Sequence, residues 1–145
     1  MSKRVVVATD GSKAAERAVD FALTMAKMWE AELIAVTVST NLSPTELRQL
    51  AMARKDRDLD AATEELVANI LGDVESRAAR HGVANVRCVS MSGDPANVAL
   101  KVAREADADL LVVGRRGLGG LSRLLLGSVS EKIVARAHCT VTAVP

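Results

Sequence analysis

Val5-Val6-Val7-Ala8 is an unbroken apolar run closed by the turn residues Thr9-Asp10-Gly11-Ser12, the pattern of a strand covered on both faces. Ala15, Ala18, Val19, Ala22, Leu23 and Ala26 then recur at helical spacing, with Lys13, Glu16, Arg17, Asp20 and Lys27 opposite them. Ser12 or Asp10 stands where that helix needs a cap. Leu33 to Val38 predicts a second strand, and the polar loop Ser39 to Ser43 follows it. Pro44 reads as the first helical residue after Ser43, opening a long charge-rich helix toward Arg80. The run Arg54 to Asp60 would form its solvated face, and the segment Asn69 to Gly72 is the place for a break.

Gly82 ends the helix, and Val83 to Val89 alternates as a third strand. Pro95 opens a helix that buries Val98, Ala99, Val102, Ala103 and Ala106. Leu110 to Val113 is a nearly all-apolar fourth strand, expected in the sheet interior. A last helix over Val129 to Ala137 would bury Val129, Ile133, Val134 and Ala137, and Thr140 to Val144 is a fifth strand. Strands alternating with helices predict one α/β domain over residues 1–145, with an open, parallel five-stranded sheet in a three-layer sandwich. No internal repeat or linker interrupts the plan.

Composition narrows the partners. Nineteen basic residues against 18 acidic ones leave a net charge of +1, which gives no electrostatic ground for nucleic acid or an anionic membrane. Phe21 and Trp29 are the only aromatic residues, so stacking platforms for single strands are missing as well. No run approaches the roughly 20 apolar residues of a membrane span, and the opening Met1-Ser2-Lys3-Arg4 is unlike a signal peptide. A cytoplasmic protein is expected. Cys88 and Cys139 are too few and too far apart for a disulfide scaffold and read as buried free thiols.

The chemistry concentrates in a glycine frame, Gly114-Arg115-Arg116-Gly117, nine residues, then Gly127-Ser128. It lies between a strand and a helix start, where backbone N–H groups converge on anions. It is neither a Walker loop nor the dinucleotide fingerprint. The residues alone leave two readings open: a cradle for a phosphate-bearing ligand, or glycines that serve only tight turns.

Together with Val5 to Ser12, Gly93-Asp94-Pro95, Ala108 to Gly114 and Leu125 to Ser130, the frame resembles the universal stress protein family over nearly the whole chain. The motif G-x2-G-x9-G-[ST], matched by Gly114, Gly117, Gly127 and Ser128, characterises the family's ATP-binding branch. The resemblance implies an adenine-nucleotide-binding (Rossmann-like) fold. It implies that Ala8, Thr9 and Asp10 meet the nucleoside and phosphate region, with Asp10 near the ribose and any Mg²⁺ or Mn²⁺. It implies that the Val38 backbone meets adenine, that Val113 and Gly114 flank the nucleoside, and that Arg116, Gly117, Gly127, Ser128, Val129 and Ser130 surround the triphosphate. It further implies a homodimer through Thr140 to Val144. Two residues depart from the family pattern: Arg115, where a small polar residue is common, and Thr140, where proline is usual.

No catalyst stands out. His81 and His138 have no partner motif, no metal-ligand spacing or hydrolase elbow occurs, and Ser128 lacks a base. The expectation is a stress-response regulator that binds ATP, with at most weak ATPase activity. The alternatives are a nucleotide-independent scaffold or chaperone-like protein whose pocket Arg115 crowds, and a slow nucleotide-hydrolysing enzyme. The segment Val38 to Pro44 and the helix after it are expected to order on ATP binding.

Overall fold

Val5 and Val7 pack on one side of the sheet and Val6 on the other, and this alternation organises the whole protein. In the computed structural model, which describes residues 2–115 and 126–145, β1 (Arg4–Ala8) is followed by α1 (Lys13–Trp29), β2 (Glu32–Val38), α2 (Pro44–Ala53) and α3 (Leu59–His81). Next come β3 (Val86–Met91), α4 (Pro95–Glu105), β4 (Leu110–Gly114), α5 (Ser128–Arg136) and β5 (Thr140–Val144). All strand pairs are parallel, in the order β3-β2-β1-β4-β5. β4 lies inside the sheet, as its apolar run predicts, and β1 is at the centre.

On one face Val5, Val7, Leu33, Ala35, Leu110 and Val112 meet α1 and α3. On the other, Val6, Ile34, Val36, Leu111 and Val113 meet α4 and Ile133 of α5. The buried stripe of α1 is Ala15, Ala18, Val19, Ala22, Leu23 and Ala26, as its periodicity predicts. Ser12 is its cap and accepts from Ala15 N at 3.1 Å. Asp94 does the same for α4, accepting from Asn97 N. Trp29 ends α1, with the Lys3 ammonium 5.8 Å from its ring centre.

Four local expectations are corrected. The long helix breaks at residues 54–58 rather than near Asn69 to Gly72. Arg54 pairs with Asp56, Arg57 takes φ +52°, and Asp58 caps α3 by accepting from Asp60 N and Ala61 N. Short acidic side chains there bond to nearby backbone instead of continuing the helix, while residues 69–72 remain helical. β3 begins at Val86 because Val83 N closes the end of α3 on Ala78 O. Val134 is 49% exposed, since α5 sits at the sheet margin and buries only Ser130 and Ile133 fully. Cys88 and Cys139 are free thiols but only half-buried.

Candidate functional site

β1 leads to β2 on one side, and the chain returns through β4 on the other. Ligands of such sheets bind beyond the carboxyl ends of the strands, where the order reverses. A cleft opens there, with about 560 Å³ of empty space that includes open solvent at its mouth. Ala8, Thr9 and Asp10 form one wall and Val113 and Gly114 another. Val36 and Val38 line the β2 side, and Val129 and Ser130 the start of α5.

The turn after β1 is fixed by its own hydrogen bonds. Thr9 N donates to Val36 O at 3.0 Å, and the buried Thr37 hydroxyl donates to Thr9 O at 3.0 Å. Thr9 Oγ1 accepts from Gly11 N, and Asp10 Oδ1 accepts from Ser12 N at 2.9 Å. Gly11 is at φ +80°, and a Cβ there would lie 2.9 Å from Ile70 Cγ1. Only glycine satisfies both demands, so α3 packs directly against the back of the turn.

The glycine frame is braced at its base. Arg115 N donates to Val144 O, and Gly127 N donates to Arg115 O at 2.8 Å. The Ser130 hydroxyl donates to Gly114 O at 2.5 Å, with Arg115 O at 3.2 Å. Gly127 is the N-cap of α5 and brings no side-chain acceptor. Among the described residues the first N–H groups of this helix therefore have no intrahelical or side-chain capping partner, and they form the positive end of its dipole. Among the described residues of α5, Lys132 is paired with Asp94 at 3.1 Å, and Glu131 lies in the first turn.

Of the residues expected from the sequence, Ala8, Thr9, Asp10, Val38, Val113, Gly114, Val129 and Ser130 line this one cleft. Gly127 and the exposed Ser128 stand at the helix start beside it. Arg116 and Gly117 lie outside the described residues. Sequence reasoning missed Ala15, Val36, Asn41 and Pro95 as lining residues. Val36 and Pro95 adjoin loops already singled out, but a lone asparagine in a polar loop gives no signal. Arg115 does not line the cleft; its Nε is buried without a hydrogen-bond partner among the described residues.

A divalent ion would find one carboxylate here, Asp10, with Oδ1 already engaged by Ser12 N. No cluster of three or more His, Cys, Asp or Glu side chains suited to a metal occurs among the described residues. The donor set suits an ion carried by phosphates, not one caged by protein. Burial pushes both thiols up, aided at Cys88 by Glu75 and at Cys139 by Asp109, which keeps them protonated near neutral pH. No helix among the described residues is long and apolar enough to cross a membrane.

Known proteins share this architecture. The chain is 37% identical over 142 residues to universal stress protein Rv1636 of Mycobacterium tuberculosis, covering 98% of this chain and 95% of that one. It is 34% identical over 142 residues to universal stress protein MJ0531 of Methanocaldococcus jannaschii, covering 98% and 81%. The crystal structure of a universal stress protein in complex with cAMP superposes with a TM-score of 0.73 at 31% identity, covering 99% of this chain and 96% of that one. The family model described as "Universal stress protein family" matches residues 1–145. With the sheet order and the cleft at its reversal point, these matches establish that the chain belongs to the universal stress protein family.

Proposed function

We propose that the chain binds an adenine nucleotide, ATP foremost, in the cleft between β1, β4 and α5, and acts as a nucleotide-dependent regulator in a stress response. The observation that carries this reading is the convergence of an apolar slot with an uncapped helix start. Ala8, Val36, Val38 and Val113 offer surface for a flat base, and the α5 N–H groups offer donors for phosphate oxygens. The relative solved with cAMP carries an adenine nucleotide on a similar fold.

Within this reading Ala8, Thr9 and Asp10 hold the nucleoside and Val38 meets the base. Ser128 and Val129 hold phosphates by backbone donors, Gly127 keeps the helix start free of a side chain, and Ser130 fixes Gly114. Arg116 and Gly117 complete the phosphate end. Asp10 is a ribose partner and the single protein ligand of a phosphate-borne Mg²⁺ or Mn²⁺; bound with the nucleotide, that ion would neutralise phosphate charge. Asp10 is also the one carboxylate lining the cleft among the described residues, which supports holding ATP over turning it over. Its position outside the cleft lining weighs against Arg115 as a plug, and so against an empty-pocket scaffold. The setting is the cytoplasm, and the assembly is a homodimer joined through Thr140 to Val144.

Chromatography of nucleotides released from denatured protein, followed by calorimetry with ATP and GTP, tests the reading. ATP is expected to co-purify or to bind at micromolar concentration. Absence of both would remove the nucleotide from the function.

A further inference from the structure

Asn41 is the polar lining residue whose side chain makes no hydrogen bond among the described residues. The cleft has four polar side chains among the described residues: Thr9, Asp10, Asn41 and Ser130. Thr9 Oγ1 is held by Gly11 N, Asp10 Oδ1 by Ser12 N, and Ser130 Oγ by Gly114 O. The Asn41 carboxamide makes no hydrogen bond with any described residue. It nevertheless sits on a tightly fixed piece of backbone. Asn41 N donates to Val38 O at 3.0 Å, closing the turn after β2. One residue earlier, Thr40 Oγ1 donates to Gly93 O at 2.8 Å and accepts from Gly93 N at 3.1 Å. One residue later, Leu42 is buried against Leu66 and Ile70. A part-exposed amide with no described protein partner, on a rigid mount, is a pre-organised reader.

Its place selects what it reads. Asn41 follows β2 and lines the cleft with Val36 and Val38, whereas the start of α5 follows β4 on the other side of β1. A flat heterocycle lying there presents its polar edge toward the loop. A carboxamide offers one acceptor and one donor in a plane, which matches an exocyclic amine beside a ring nitrogen.

We propose that Asn41 is the specificity-determining residue for the base, accepting from the 6-amino group of adenine through Oδ1 and donating to an adjacent ring nitrogen through Nδ2. This rests on the nucleotide reading and names the side chain that would make that site prefer adenine.

Calorimetry of wild type, Asn41→Ala and Asn41→Asp with ATP and with purine riboside triphosphate, which lacks the 6-amino group, provides the test. Loss of this hydrogen bond is expected to weaken ATP binding by about tenfold in Asn41→Ala. The same substitution should weaken purine riboside triphosphate binding by a clearly smaller factor, because only the bond to the ring nitrogen remains to be lost. Asn41→Asp keeps the acceptor and is expected to retain part of the preference for the amine. Unchanged thermal melts would place the effect in the site, since the Asn41 backbone bond is preserved in both variants. Equal weakening toward both ligands, or none, overturns the assignment while leaving nucleotide binding intact. A wild type that binds neither ligand overturns the nucleotide reading, and the assignment with it.

Discussion

Ser130 Oγ, near the start of α5, donates to the carbonyl of Gly114, the last residue of β4, at 2.5 Å. Ser130 is buried, with 3% of its surface exposed. A serine that the glycine motif suggests as a phosphate donor thus has its proton aimed at the protein. Ser130→Ala is expected to leave a partly buried carbonyl unpaired and to cost about 1–2 kcal/mol. Urea unfolding measures that cost. ATP affinity should fall along with it, because Gly114 loses its brace.

Gly11 carries two constraints, its positive φ and the nearness of Ile70. Gly11→Ala is expected to destabilise by about 1–3 kcal/mol. Adding Ile70→Ala should recover the steric share but not the backbone share, so a double-mutant cycle will be non-additive. Strict additivity would show that α3 does not press on the turn.

Gly127 has φ −66° and ψ 159°, open to any residue. An aspartate there would cap α5 and complement its dipole while facing incoming phosphates. Gly127→Asp is therefore expected to keep or raise the melting temperature and to weaken ATP binding about tenfold or more. A parallel fall in both would mean that the glycine is needed by the fold.

The backbone N–H of Asn97, then the Lys132 ammonium, hold the Asp94 carboxyl below its usual range. A carboxylate depressed in the folded state adds stability above its unfolded value of about 3.9, and that stability is lost as the pH falls through the folded value. Asp94→Ala should melt below wild type at pH 7, and the gap should close under strong acid. A gap constant across that range would remove the charge from the effect.

β5 closes one side of the sheet and pairs only with β4 among the described residues. Exposed strand edges need cover, and Val134 adds apolar surface on the same margin. Light scattering at tens of micromolar is expected to give twice the chain mass of 15.3 kDa. A monomer would remove the β5 pairing.

The sheet and its order of elements were legible because apolar runs and helical stripes leave little choice. Val5 to Val7 can be buried on both faces only at the middle of a parallel sheet. The break after Ala53 was hidden, since Arg54, Asp56 and Asp58 look like a solvated helix face until their side chains are seen bonding to each other and to backbone. Val134 misled because periodicity shows which positions could be buried, not whether a layer reaches them. In the site, glycines and the Asp10 turn announced themselves through backbone demands. Asn41 did not, because its meaning comes from three neighbours fixed by residues far away in sequence.

Trp29 ends α1 about 24 Å along the helix axis from Lys13, and the chain has no tyrosine. Its emission reports the rim of the sheet opposite the cleft and is blind to what the cleft holds. With one indole and no tyrosine, the protein absorbs weakly beside adenine where adenine absorbs most strongly. A retained nucleotide would therefore be visible in the ultraviolet spectrum of the purified protein before any ligand is added.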